Sequence, residues 1–291
     1  MKHKAGFVNI IGRPNAGKST LMNALVKENL SIITSKAQTT RHRIIGIVNG
    51  DDFQLVFSDT PGFLKPAYQL HKAMMGFIHS ALEDADLILL VIDLKKNIVD
   101  PDLLNSISKS KVPVFVILNK ADLVKDEQII EAIKQWDNLL HPAEIIPVSA
   151  LKGKHIDILM PLIMSKMPVH PAYYPKDELT DKPERFFIAE IIREKIFLTY
   201  KQEIPYSCEV AIELFKEEQK IIKILAHIFV NRKSQKPILI GKKGSQLKKV
   251  GTEARLDIEK FLGKKVYLEL YVKVRENWRN DPNTLKKFGY Q

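Results

Sequence analysis

Up to about residue 167, short unbroken runs of apolar residues alternate with stretches whose apolar positions recur at helical spacing. The runs are "GFVNII" (6–11), "QLVFS" (54–58), "LILLVI" (87–92), "VPVFVIL" (112–118) and "EIIPVS" (144–149). Unbroken rather than alternating hydrophobicity predicts strands covered on both faces, as in a parallel sheet. "RIIGIVN" (43–49) precedes the second run as a predicted hairpin partner, and the third, fourth and fifth runs each follow a helical stretch. The pattern predicts a doubly wound, mostly parallel α/β domain. The stripe Met74, Met75, Phe77, Ile78 and Leu82 is expected to be helix core.

A segment broken by Pro168, Pro171, Pro175 and Pro183 then reads as an extended linker. It predicts a domain over 1–167, a linker over 168–183 and a second domain over 184–291. Beyond it the periods change. A helix is expected over 184–200, then strands in "SCEVAIELFKE" and "KIIKILAHIFVN" and a short helix leading to Gly241. A longer helix from about Gly244 to Leu262 and a closing strand "KKVYLELYVKV" complete the pattern. The order α-β-β-α-α-β suits a small α+β sheet with helices on one face.

Composition narrows the class. With 45% hydrophobic and 27% charged residues, the chain is an ordinary globular sequence with no sign of global disorder. One cysteine, Cys208, excludes an internal disulfide, and eight scattered histidines give no zinc spacing. A reducing, cytoplasmic setting is expected. The longest apolar run is far below membrane-spanning length. Charge is segregated: residues 232–291 hold 16 Lys and Arg against 6 Asp and Glu, which is +10 of the total +11. Such a concentration points to a polyanionic partner.

The chemistry-bearing motifs sit at the ends of the predicted strands. Gly12-Arg13-Pro14-Asn15-Ala16-Gly17-Lys18-Ser19 fits the phosphate-loop spacing G-x-x-x-x-G-K-S, between a strand and a helix. Its glycines let backbone N–H groups wrap a phosphate, and the helix N-terminus adds its positive end. Lys18 would bridge the β- and γ-phosphates and the Ser19 hydroxyl would bind Mg²⁺. Asp59-Thr60-Pro61-Gly62 follows, with Asp59 placed to hold Mg²⁺ through water and the Gly62 N–H to meet the γ-phosphate. In Asn119-Lys120-Ala121-Asp122, the Asp122 carboxylate can accept from guanine N1–H and N2–H₂. Lys120 would lie over the base, and Asn119 would tie its loop to the phosphate loop. In Ser149-Ala150-Leu151, the Ala150 N–H could meet guanine O6. Ala16 and Thr20 complete the candidate nucleotide contacts. Four motifs at four strand ends predict a GTP/GDP pocket.

Between the first helix and second strand, "SIITSKAQTTRHR" (31–43) has no core periodicity. Thr40 is the favoured ligand there for Mg²⁺ and γ-phosphate, with Thr39 second. Loss of γ-phosphate would free this loop and the segment after Gly62. Lys18, Thr40 and Gly62 are thus the candidate catalytic groups, with Ser19, Thr40 and Asp59 around the metal. Phe63 stands where many GTPases place a water-orienting glutamine, so unaided hydrolysis should be slow. Asn15 could ligate K⁺ or act only as a turn residue.

A second glycine-bracketed loop, "ILIGKKGSQLKKVG" (238–251), lacks the phosphate-loop spacing and sits in the basic segment. Gly241 and Gly244 permit close approach to a sugar-phosphate chain, and Lys242 and Lys243 supply counter-charge. Ile238, Leu239, Ile240, Leu247 and Val250 are expected to form an apolar strip for bases. The candidate contacts are Ile240, Gly241, Lys242, Lys243, Gly244 and Lys248. Trp278, Phe288 and Tyr290 could stack on bases or cap the domain.

"GRPNAGKST", "TTRHR", "DTPGF", "NKAD", "SAL" and "IGKKGSQLKKVG" together resemble the Era family, over essentially the whole chain. These are bacterial GTPases with a C-terminal type II KH domain. The resemblance implies binding of 16S ribosomal RNA near its 3′ end and a nucleotide-controlled role in 30S subunit assembly. It also implies peripheral contact with the inner membrane, and a monomer is expected. A constitutive RNA-binding module with structural GTP is the rival reading that Phe63 keeps open.

Overall fold

The computed structural model describes residues 2–34, 36–98 and 100–290. By internal contacts the chain forms two compact units. The first runs to Lys65 and from Met74 to Asp181; the second holds Pro66–Ala73 and continues from Lys182.

The first unit contains β1 (Lys4–Gly12), α1 (Lys18–Val26), β2 (Ile44–Asn49), β3 (Phe53–Asp59) and most of α2 (Gln69–Glu83). Next come β4 (Leu87–Asp93), α3 (Pro101–Ser108), β5 (Val114–Asn119), α4 (Asp126–Leu140), β6 (Glu144–Val148) and α5 (Leu159–Lys166). The sheet order is β2-β3-β1-β4-β5-β6, with β2 antiparallel to β3 and every other neighbour parallel. All six residues of β5 are buried, as are the first six of β4, because helices cover both faces. Register places Ile10 opposite Asp59, Gly12 opposite Val91 and Asp93 opposite Asn119. The motif-bearing loops therefore leave one sheet edge together. Chain order reverses on either side of β1, which opens a crevice at its C-terminal end. Met74, Met75 and Ile78 are core, as their spacing predicted.

The proline-broken segment is bound along this unit. Gln54, fully buried, donates from Nε2 to Tyr174 O (2.8 Å), and its Oε1 accepts from the N–H groups of Tyr173 (2.7 Å) and Tyr174 (2.9 Å). Asn49 Nδ2 donates to Lys176 O at 3.0 Å, and Ile47 N–H to Leu179 O at 2.8 Å. Proline prevents a helix here, yet the backbone carbonyls remain available as acceptors.

The second unit comprises α6 (Glu184–Thr199), α7 (Ile204–Ser207), β7 (Cys208–Glu217), β8 (Ile222–Val230), α8 (Gln235–Ile240), α9 (Ser245–Leu262), β9 (Val266–Val274) and α10 (Pro282–Lys287). Its sheet order is β7-β8-β9, antiparallel then parallel. Ile188, Ile192 and Ile196, one turn apart on α6, are fully buried with Val250, Ala254 and Ile258 of α9 and alternate residues of the strands. Each buried isoleucine contributes roughly 1.5–3 kcal/mol. Cys208 lies in this core. The expected α-β-β-α-α-β order is present, with α7 and α10 added.

The aromatic tail caps the domain. The Trp278 indole N–H donates to Ser207 O at 3.0 Å, and the Tyr290 hydroxyl donates to Glu209 Oε2 at 2.7 Å. Phe288 packs between Phe229 and Trp278, with centroids 5.1 and 5.6 Å away. Trp278 and Tyr290 are buried, so neither ring is presented for stacking on a base. Among the described residues, no helix is long and apolar enough to cross a membrane.

Candidate nucleotide pocket and nucleic-acid groove

The first site is a cavity of about 390 Å³ beyond the ends of β1, β3, β4 and β5. Its wall includes Asn15, Gly17, Lys18, Ser19, Thr20, Thr40, Gly62, Asp93 and Lys120. Gly17 adopts φ 97° at the start of α1, and a Cβ there would run into the Asn119 side-chain amide. Glycine is thus required twice at this position, for the left-handed backbone and for the close approach. Gly62 lies against the phosphate loop, because a Cβ on it would stand 2.6 Å from Pro14 Cα.

Hydroxyl and carboxylate groups converge on one point. Ser19 Oγ donates to Asp59 Oδ2 at 2.6 Å and lies 2.9 Å from Thr40 Oγ1; Thr40 Oγ1 is 3.3 Å from Asp59 Oδ2. Thr40 is therefore the threonine at the site. Thr39 also lines the cavity, and its hydroxyl is bonded to Lys36 O (2.8 Å) and Thr34 Oγ1 (2.7 Å). Asp59 is fully buried, and its Oδ1 has no hydrogen-bond partner. An orphaned carboxylate oxygen beside two hydroxyls suits a hard cation. As a donor set, Ser19, Thr40 and Asp59 thus fit Mg²⁺. Among the described residues no cluster of three His, Cys, Asp or Glu offers a separate metal site.

Burial dominates the electrostatics. It pushes the Lys18 ammonium down to about 8, against the pull of Asp59, and raises the Asp59 carboxyl despite Lys18 nearby. Lys18 Nζ donates to Arg13 O at 3.0 Å, curled over its own loop. A polyphosphate beside it would favour the charged form further.

The base-reading loops are held by Asn119. Its Nδ2 donates to Ala16 O at 2.8 Å, the expected tie to the phosphate loop. Its Oδ1 accepts from the N–H of Lys120 (2.8 Å) and Ala150 (3.0 Å). The Ala150 N–H, expected to meet guanine O6, is buried and bonded to Asn119 Oδ1. Asp122 is held below the usual carboxylate range, first by the Ser149 hydroxyl and also by Lys152, whose Nζ is 3.3 Å away. It stays ionised. The Thr60 hydroxyl donates into the sheet, to Ile10 O at 2.8 Å. The Leu151 side chain is 79% exposed, and Pro61 is buried beside Thr60. Asp93 lines the pocket, although no motif marked it.

The second site is a groove of about 380 Å³ between α9 and β9, lined by Gly244, Leu247, Lys248, Gly251, Thr252, Arg255, Leu268 and Leu270. Gly241 (φ 74°), Lys243 (φ 51°) and Gly244 (φ 78°) form a left-handed turn at its mouth. Lys242, Lys243 and Lys248 are exposed, and the space where a Gly244 Cβ would sit is open. The apolar strip needs correction. Leu239 and Val250 are fully buried in the core, Ile238 is exposed, and Ile240 and Leu247 are partly covered. The apolar floor comes instead from Leu268 and Leu270 of β9.

Comparison with known proteins decides the family. A model described as "50S ribosome-binding GTPase" matches residues 7–120, and one described as "KH domain" matches residues 203–279. GTPase Era of Syntrophus aciditrophicus is 46% identical over 291 residues, covering 99% of this chain and 95% of that protein. The chain belongs to the Era GTPase family. A crystal structure of Era with MgGDPNP and nucleotides 1506–1542 of 16S ribosomal RNA is similar, with a TM-score of 0.95 at 39% identity over 99% of both chains. Era of Aquifex aeolicus, in a variant bound to GDP·AlF4⁻, matches with the same score, identity and coverage.

Proposed function

We propose that the protein binds GTP with Mg²⁺ in its first unit and hydrolyses it to GDP and phosphate. Its second unit binds 16S ribosomal RNA near the 3′ end. The convergence of Ser19, Thr40 and the orphaned Asp59 oxygen beside buried Lys18 carries the nucleotide half. The glycine turn over a basic groove carries the RNA half, supported by an Era solved with a 16S fragment.

Mg²⁺ held by Ser19 and Thr40, with Asp59 behind, supplies charge neutralisation at the β- and γ-phosphates. Lys18 bridges the same oxygens, and its burial removes water that would screen it. Thr40 reaches this cluster from an otherwise irregular segment, so departure of γ-phosphate removes what retains it. Phe63 packs towards the sheet core while its N–H donates to Gly12 O at 3.0 Å. A phenyl ring cannot orient water. Attack therefore relies on main-chain groups such as the Gly62 N–H, and on K⁺ at Asn15.

The broader role is nucleotide-controlled RNA binding during 30S subunit assembly, by a cytoplasmic monomer with peripheral contact at the inner membrane. This part rests on family resemblance and the basic C-terminal segment. Purified full-length chain should turn over GTP slowly, and faster in K⁺ than in Na⁺. It should bind a 3′-terminal 16S fragment more tightly with a non-hydrolysable GTP analogue than with GDP. Single-turnover hydrolysis alone, or RNA affinity indifferent to nucleotide, would support the module with structural GTP instead.

A further inference from the structure

We propose that Asp93 is a positioning residue for nucleotide binding, holding Lys120 in the posture from which its stem covers the base. The inference rests on the GTP-pocket reading and concerns how that pocket keeps its ligand.

Asp93 ends β4 directly opposite Asn119 in the β4–β5 register. The N–H of the next residue, Leu94, donates to Asn119 O at 3.0 Å, so the two strand ends are joined by main chain. Lys120 then turns with φ 66°, a left-handed conformation that a lysine adopts only when its surroundings impose it. Its Nζ donates to Asp93 Oδ2 at 2.7 Å and to Asn15 O at 2.8 Å. The other Asp93 oxygen accepts the Lys95 N–H at 3.1 Å, which fixes the carboxylate before the lysine arrives. Nearby carboxylates are engaged elsewhere: Asp122 faces Lys152, and Asp100 faces Arg13.

The pair is largely shielded, with 29% of the Lys120 side chain and 12% of the Asp93 side chain exposed. A charge-assisted bond there is stronger than at an open surface. One ammonium thus joins the end of β4, the phosphate loop through Asn15, and the loop that reads guanine. With its far end anchored, the lysine stem is a fixed rail. Without the anchor it must be ordered each time a nucleotide binds, and a bound nucleotide leaves more easily.

The test is dissociation of a fluorescent GDP analogue (mant-GDP) from full-length protein. Asp93→Ala should release the analogue about tenfold faster than the parent. Asp93→Asn, which keeps size and one acceptor, should fall between. Lys120→Ala should be at least as fast as Asp93→Ala, and the double variant no faster than Lys120→Ala, because both remove one contact. Wild-type release rates in Asp93→Ala would overturn the proposal, as would accelerations that multiply in the double variant. If Asp93→Ala does not fold, wild-type release by Asp93→Asn overturns it equally. Failure of the unsubstituted protein to retain mant-GDP would instead bring down the pocket reading along with it.

Discussion

Replacing Asn119 with alanine removes three hydrogen bonds with one side chain. Ala16 O loses a donor at 2.8 Å, and the N–H groups of Lys120 and Ala150 lose an acceptor at 2.8 and 3.0 Å. Ala16 and Ala150 are 2% and 5% exposed, so water does not reach their groups without rearrangement. A buried polar group left unpaired costs about 1–3 kcal/mol. Two such groups, with the more accessible Lys120 N–H adding little, give a loss of roughly 2–6 kcal/mol. A domain has only about 5–15 kcal/mol in total. The assay is built into the sequence, because each unit has one tryptophan: Trp136 in the first and Trp278 in the second. Urea unfolding followed by Trp136 fluorescence, in a Trp278→Phe background, reports the first unit alone. A loss below about 1 kcal/mol with an unchanged denaturant slope would refute the premise that Asn119 is what joins these three loops.

Asp122→Asn should shift preference from guanine towards xanthine nucleotides, read by competition binding; unchanged preference would remove Asp122 from base recognition. Gly244→Asp should abolish RNA binding in filter assays while GTP affinity stays as it was. Its φ of 78° disfavours a side chain, and the added carboxylate would face the phosphate backbone. Lys242→Ala should flatten the salt dependence of RNA affinity by about 0.7 in log–log slope, and an unaltered slope would place that lysine off the backbone. Asp257, bonded to Lys195 at 2.5 Å, is held below its usual range by that lysine. A depressed folded pKa stabilises above the unfolded value and is lost as pH falls through the folded one. Asp257→Asn should therefore be less stable than the parent at pH 7, and the difference should fade below about pH 4, as thermal melts across pH would register.

The strands of the first unit were legible because a run such as "LILLVI" must be covered on both faces, and few architectures do that. The motifs inherited their placement from those strands, which is why Ser19, Thr40 and Asp59 could be brought together on paper. What failed was local. Leu239 and Ile238 are neighbours in sequence, but on α8 they point about 100° apart, so one enters the core and the other meets water. The internal partners of the Thr60 hydroxyl and the Ala150 N–H were not legible either, since no periodicity tells a buried donor which carbonyl or amide it will meet. The docking of the proline-rich linker was not legible, because proline signals only what the backbone does not do. Its docking depends on Gln54, a polar residue hidden inside a strand. Asp93 had one visible signal, its place at the end of a buried run, shared with any residue that starts a loop.

The way the tail closes the second unit sets limits on how that unit can be dissected. The conserved KH pattern matches residues 203–279, yet the isoleucines of α6 lie before that span and Leu285, Phe288 and Tyr290 lie after it. An excised fragment trimmed to the pattern would leave one wall of its interior wet and strip the cover from Phe229. Loss of RNA binding in such a fragment would then report collapse of the scaffold rather than the worth of the groove.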